Sequence, residues 1–287
     1  MIKLFITDLD DTLYSWIGFF IPAFYAMAEK VAEILDIPLD KLLEEYKSVH
    51  RNKGSVEFPH ATLLLPSVQK MLGDLSKEEQ RRRLDPAFHR FNSKRKHLLR
   101  LYPGVEEALR YMQQQCITIV GYTESAEENG FYRLKKLGIE QYFKKIYVSD
   151  STYKRPDYTE KSPKTQIVHG KKPNPELLKQ ICQDEKCSIT EGIYMGDSLT
   201  KDIMMAKDAG IISVWVDIPE QNSDLYKQLI QISHWSEADF AREKENREKW
   251  ERCGYSPDYK ITDLRQLEQV IKQINYSCLS DIGTNKR

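Results

Sequence analysis

The chain predicts an α/β fold: a doubly wound, Rossmann-like parallel sheet with an inserted α-helical domain. Three observations carry that reading. Short apolar runs recur along the 287 residues and alternate with helical patterns, the signature of βαβ units whose parallel sheet is covered on both faces. Several of these runs lead directly into polar motifs. Finally, the stretch from Tyr14 to Leu101 has helical periodicity and no strand, far more chain than a crossover connection needs.

Residues 2–7 read as a buried strand that runs into Asp8-Leu9-Asp10-Asp11-Thr12. The inserted helices follow, so the expected division is a core of residues 1–14 and 101–287 with an inserted helical domain over 15–100. Residues 103–112 form a helix with a Pro/Gly start and an apolar stripe. Residues 116–122 form the second strand and lead to Thr123, and 131–137 form a helix that ends at Gly138. Residues 145–149 are a strand. The stretch 150–170 is rich in Lys, Ser, Pro and Tyr and reads as an extended loop. Asn174 and Pro175 suit the N-cap and first position of a helix reaching Cys182. A strand over 192–195, a helix over 202–209 ending at Gly210, and strands over 212–216 and 259–262 complete the core. Between the last two strands, residues 242–249 are a mixed-charge helix with paired i,i+4 signs, which reads as a solvated face.

Composition narrows the function classes. The 43 basic and 43 acidic residues balance, so no global field draws the chain to nucleic acid or to a membrane surface. The apolar run from Tyr14 to Ala28 contains Gly18 and Pro22 and is too short to span a bilayer. No secretory leader is expected. The five cysteines lack metal spacing, and their odd number argues against a disulfide framework. Reduced thiols in a cytoplasmic protein are the expectation. None of the six histidines has ligand spacing.

The polar motifs form a chemical set. In an open parallel sheet, residues at the carboxyl ends of neighbouring strands share one crevice. Asp8, Thr123 and Asp197 stand at such ends and converge there if their strands are adjacent. A carboxylate nucleophile such as Asp8 would split a phosphoryl transfer into two steps through an aspartyl-phosphate. Asp10, two residues on, would face the same pocket from another side, placed to protonate a leaving oxygen and later deprotonate a water. Asp8 and Asp197 suit Mg²⁺, which takes oxygen ligands and few carboxylates. Thr123 offers a hydroxyl and Lys172 a fixed charge for phosphoryl oxygens. Asp202, one helical turn after Asp197, would hold the metal's waters or the Lys172 ammonium.

Taken together, Asp8-Leu9-Asp10-Asp11-Thr12, Thr123, Lys172-Pro173 and Gly196-Asp197-Ser198 through Asp202 resemble the four motifs of the haloacid dehalogenase superfamily. The resemblance implies Asp8 as nucleophile, Asp10 as general acid/base, Thr123 as phosphate binder and Lys172 as charge stabiliser. It implies a Mg²⁺ site formed by Asp8, Asp197 and Asp202 with the Asp10 backbone carbonyl. The insert resembles the family's C1-type helical cap, which closes over the crevice and reads the substrate. The second acidic residue, Asp10, argues against dehalogenase and phosphonate-cleaving branches, and Thr12 is typical of the phosphatases. One departure stands out: Glu124 follows Thr123 where the family usually has Asn.

The expectation is therefore a Mg²⁺-dependent phosphatase acting on a small-molecule phosphomonoester, such as a sugar phosphate, nucleotide, phosphoglycolate-like acid or flavin phosphate. A phosphomutase using the same aspartate pair and a non-catalytic binding module are the competing readings. Trp16 and Phe20, four apart on one helical face, read as cap packing, with stacking on a substrate ring as the sharper alternative. The runs Arg81-Arg82-Arg83 and Lys94-Arg95-Lys96 read as solvated cap surface.

Overall fold

The computed structural model of the chain describes residues 1–57, 59–150, 162–218 and 223–284. Its strands are β1 Leu4–Thr7, β2 Thr118–Ala126, β3 Lys145–Ser149, β4 Thr165–Val168, β5 Gly192–Gly196, β6 Ile212–Val216 and β7 Tyr259–Ile261. Its helices are α1 Trp16–Leu35, α2 Leu39–Lys53, α3 Pro66–Leu72, α4 Lys77–Leu98, α5 Val105–Gln114, α6 Glu127–Leu137, α7 Pro175–Asp184, α8 Met204–Ala209, α9 Ser223–Ile232, α10 Glu237–Cys253 and α11 Leu267–Thr284. They form two compact units, one comprising Met1–Tyr14, Leu101–Pro219 and Arg242–Arg287, the other Ser15–Arg100 and Glu220–Ala241. The segment 220–241, which the sequence reading left in the core, is thus grouped with the helical insert. The physical reason is local: the backbone carbonyl of Ile232 accepts from the buried imidazole of His50, and Tyr25 donates to the Gln228 carbonyl and to Gln231.

In the first unit the seven strands lie in the order β4-β3-β2-β1-β5-β6-β7, and every pairing is parallel. β1 is central, and Leu4, Phe5 and Ile6 are wholly buried, as a strand covered on both faces requires. Leu4, Ile6, Val120, Tyr122 and Tyr194 pack with Leu178 and Ile181 of α7 and Met205 and Ala206 of α8. Each of the buried Leu, Ile, Val and Met side chains stabilises the fold by roughly 1.5–3 kcal/mol relative to exposure. Gly138 and Gly210 close α6 and α8 in the left-handed conformation, with φ 72° and 77°.

Three boundaries differ from the sequence expectation. The stretch read as a loop over 150–170 contains a strand, β4, whose four residues add a parallel edge to β3; residues 151–161 lie outside the described residues. A four-residue strand with Gln166 and Ile167 exposed has no apolar run to announce it. β2 extends to Ala126, with its register against β3 shifting between Tyr122 and Ala126, so α6 starts at Glu127 rather than at Phe131. The helix expected over 202–209 opens with a wide π-type turn, Leu199–Ile203, before α8.

The second unit is helical. α1 buries Phe19, Phe20, Phe24 and Met27, and its Ser15 cap accepts from the Gly18 amide at 3.0 Å. Ser76 and Glu79 form a reciprocal capping box at the start of α4. Trp16 stacks on Phe20 with ring centroids 5.0 Å apart and 11° between planes, and its Nε1 donates to Glu57. Phe20 also meets Phe91 edge-on, so this aromatic pair is engaged in packing. Arg81, Arg82 and Arg83 are exposed.

Candidate active site

The carboxyl edge of β1 builds the first half of the site. Asp8 follows the strand directly, and its amide donates to the Met195 carbonyl of β5 at 2.9 Å. The chain then turns tightly: Leu13 N donates to Leu9 O and Asp11 N to Tyr14 O, with Asp11 at φ 56°. Asp tolerates the left-handed region better than most residues, which suits it to this turn. The turn returns Thr12 to Asp8, and its buried hydroxyl lies 3.2 Å from Asp8 Oδ2 and 3.3 Å from Asp197 Oδ1. A hydroxyl carries one proton, so it serves one of these oxygens at a time.

The second half comes from Lys172 and from β2 and β5, the two strands that flank β1. Lys172 is buried, with Nζ 2.5 Å from Asp8 Oδ1 and 2.8 Å from Asp202 Oδ1. Its ammonium lies over the rings of Tyr122 at 4.8 Å and Tyr194 at 5.7 Å, contacts that favour a desolvated cation. The Tyr194 hydroxyl donates to Asp202 Oδ1 at 2.7 Å, and the Ser198 amide to Asp202 Oδ2 at 3.1 Å. The wide turn Leu199–Ile203 sets Asp202 for these contacts, so Asp202 reaches back into the site as well as accepting from the amide of the N-cap residue Ser198. The Asp197 carbonyl accepts from Trp215 Nε1 at 2.8 Å.

Asp8, Asp197 and Asp202 offer carboxylate oxygens that all lie within 4.8 Å of one another. Lys172 pairs with Asp8 and Asp202, and Asp197 adds a third carboxylate, which leaves the cluster with excess negative charge. Burial raises the Asp8 carboxyl well above the usual carboxylate range; Lys172 offsets this, while Asp202, Asp197 and Asp10 push it further. Burial, then Asp202 and Asp11, push Asp197 up to about 8. Burial works against the Lys172 ammonium, but Asp202 and Asp8 outweigh it and hold its affinity for the proton well above the usual lysine range. The deficit is therefore one of positive charge. All-oxygen donors with excess negative charge fit a hard divalent cation.

Asp10 is held apart from that cluster. Its Oδ1 accepts from Arg133 Nη1 at 2.6 Å, and its Oδ2 from Ser125 Oγ at 2.7 Å and Thr123 Oγ1 at 3.2 Å. Thr123 also accepts from the Ser125 amide at 3.0 Å. Glu124, the departure noted in the sequence, accepts from the Lys172 amide at 3.1 Å and from Lys201 Nζ at 3.3 Å. Its carboxylate thus anchors the backbone that carries the buried lysine. The structure brings together Asp8, Lys172, Asp197 and Asp202, and pairs Asp10 with Thr123.

Sequence reasoning missed Arg133, Ser125, Tyr122, Tyr194 and the Lys201–Glu124 pair as parts of the site. No sequence signal marks Arg133, whose place follows only from how α6 packs on β2. Gly130 and Arg133 share one face of α6, and a Cβ at Gly130 would stand 3.3 Å from Thr123 Cγ2, so that face abuts the motif. The charged helix α10 was read as merely solvated, yet Glu243 accepts from Thr200 Oγ1 at 2.8 Å and Lys249 pairs with Asp208 at 2.6 Å.

Comparison with known proteins bears on the family of the chain. The chain is 23% identical over 250 residues to a glyceraldehyde 3-phosphate phosphatase of Methanopyrus kandleri, covering 81% of this chain and 97% of that protein. It is 26% identical over 212 residues to a phosphoglycolate phosphatase of Vibrio vulnificus, covering 74% and 82%. Its fold is similar to the crystal structure of a 2-haloacid dehalogenase from Pseudomonas syringae pv. Tomato, with a TM-score of 0.55 and 22% identity over 95% of this chain and 99% of that one. A family model, haloacid dehalogenase-like hydrolase, matches residues 2–210, and the chain belongs to that family of hydrolases.

Proposed function

We propose that the chain is a Mg²⁺-dependent phosphatase that hydrolyses a small-molecule phosphomonoester through a phosphoryl intermediate on Asp8. The observation that carries this is the buried Asp8 carboxylate, fixed by Lys172 at 2.5 Å beside Asp197 and Asp202 at the end of the central strand. The relatives named for glyceraldehyde 3-phosphate and phosphoglycolate support a small phosphate ester as substrate.

An Asp8 oxygen attacks phosphorus; the bond from phosphorus to the ester oxygen breaks, and Asp10 gives that oxygen its proton, releasing the alcohol. Water then attacks phosphorus, loses a proton to Asp10 and frees inorganic phosphate, restoring Asp8. Lys172 and Thr123 stabilise the charge on the non-bridging oxygens. Asp8, Asp197 and Asp202, with the Asp10 carbonyl, would hold the ion. When bound, a divalent cation offsets the charge of nucleophile and phosphoryl oxygens, and Mg²⁺ is the ion we assign because the donors are carboxylates and the substrate supplies phosphate oxygens. The helical insert, 15–100, takes the role of substrate selection. The free thiols Cys116, Cys182, Cys187 and Cys253 support a cytoplasmic location.

The test is inorganic phosphate release from a panel of small phosphomonoesters with Mg²⁺, with a chelator, and with Asp8→Asn. Metal-dependent release lost in the variant is expected. Transfer between two positions of a bisphosphate-primed sugar, with little free phosphate, would instead identify a mutase. No turnover of any ester by folded protein would mark a binding module.

A further inference from the structure

Two lysine or arginine side chains are buried among the described residues, Lys172 and Arg133. The phosphatase reading uses the first and leaves the second unexplained. Burying a guanidinium is costly unless it is paired with good geometry, and Arg133 is paired with Asp10, the group that must move two protons per turnover. Resting on that reading, we infer that Arg133, with Ser125, is a positioning residue that fixes the orientation of the Asp10 carboxylate for proton transfer to the leaving oxygen.

The geometry supports a clamp. Arg133 Nη1 donates to Asp10 Oδ1 at 2.6 Å and to Ser125 Oγ at 2.8 Å, while Ser125 Oγ donates to Asp10 Oδ2 at 2.7 Å. One guanidinium and one hydroxyl therefore engage both oxygens of the carboxylate and each other. The donors come from β2 and α6, whereas Asp10 stands on the tight turn after β1, so its carboxylate is held by elements other than its own. The buried Tyr14 ring lies beside the pair: after burial, the charge of Asp10 is the next influence raising its hydroxyl, with Arg133 opposing. An acid that must meet a leaving oxygen gains from such fixing, because small misplacements of a catalytic group cost much of its rate advantage.

A structural role alone, in which Arg133 merely ties α6 to the turn, predicts something different. An alkyl ester leaves as a strongly basic alkoxide and needs its proton. A p-nitrophenyl ester leaves as a stable phenolate and needs little help. Because kcat/KM reports steps up to leaving-group departure, it isolates the acid step from the later water step.

The experiment measures kcat/KM on p-nitrophenyl phosphate and on the best alkyl phosphate of the panel, for wild type, Arg133→Gln, Arg133→Lys and Ser125→Ala, with melting temperatures alongside. For Arg133→Gln the alkyl ester is expected to lose on the order of 100-fold, while the nitrophenyl ester stays within about threefold. Arg133→Lys should recover part of the alkyl loss. Ser125→Ala, which leaves no buried charge unpaired, should lose about tenfold on the alkyl ester in the same selective pattern. Equal losses on both esters, or none on either, in folded protein overturn the inference alone. Wild-type protein that turns over neither ester overturns the phosphatase reading and the inference with it.

Discussion

At the scale of single residues, the site depends on one backbone position without a side chain. A Cβ at Gly196 would stand 2.4 Å from Asp202 Cγ, a distance that no real contact shows, whereas at Gly121 the nearest atom is Leu9 Cδ2 at 3.3 Å. Gly196→Ala should therefore displace Asp202 from Lys172. Overpacking of this kind costs about 1–3 kcal/mol, and phosphate release should fall far more than stability does. Gly121→Ala should be the milder change on both counts; parallel urea melts and phosphate assays would check the pair. Glu124 makes a second residue-scale prediction. Its carboxylate accepts from the Lys172 amide and the Lys201 ammonium. Glu124→Gln retains an acceptor for the amide and should keep most activity. Glu124→Ala leaves the lysine-bearing backbone unanchored, and should cost about 1 kcal/mol together with a drop in kcat larger than any change in KM. A variant Glu124→Ala with wild-type kcat would remove Glu124 from the account.

At the scale of elements, the helical unit contains a pH-sensitive joint. His50 of α2 is buried, its Nδ1 lies 2.8 Å from the Ile232 carbonyl of α9, and its Nε2 has no hydrogen-bond partner among the described residues. Burial lowers its pKa from 6.5 to about 4. The folded form is thus neutral, while the unfolded chain takes up a proton below about pH 6.5. Stability from this residue is fully present above pH 6.5 and is lost as pH falls toward 4, on the order of 3 kcal/mol in total. Urea unfolding across that window should show a steeper loss for wild type than for His50→Asn; parallel slopes would refute it. The elements also show what the sequence could reveal. Apolar strands and glycine stops were legible because periodicity and left-handed caps are local properties. β4 was not, because Gln166 and Ile167 are exposed on an edge strand. The bulge that prolongs β2 past Tyr122 and the wide turn that aims Asp202 arise from tertiary fit, and neither leaves a periodic trace. The acidic motifs announced Asp8, Asp10, Asp197 and Asp202. Arg133 lay hidden because an arginine in an amphipathic helix reads as solvent-facing until β2 is known to lie beside that face.

At the scale of the whole molecule, the balanced charge hides a strongly unbalanced centre. Asp8, Asp197 and Asp202 gather in one cluster where Lys172 pairs with Asp8 and Asp202, and no helix of the described residues is long and apolar enough to cross a membrane. Because a cation that binds only the folded state stabilises it by mass action, roughly 2.7 kcal/mol at a hundredfold excess over Kd, the melting temperature should rise with Mg²⁺ concentration. Asp197→Asn should abolish most of that rise while raising the stability of the metal-free protein, since it relieves the cost of crowding a third carboxyl group beside Asp8 and Asp202. A melting curve indifferent to Mg²⁺ in the wild type would contradict the cation assignment.

In the proposed reaction the phosphoryl group passes through Asp8. The most direct measurement is acid quench of the Asp10→Asn variant during turnover of p-nitrophenyl phosphate, followed by mass spectrometry of its peptides. The phenolate leaves without an acid, while the water step lacks its base, so a phosphoryl group is expected to accumulate on the peptide that carries Asp8. Phosphate release with no such adduct, or an adduct on another residue, would contradict it.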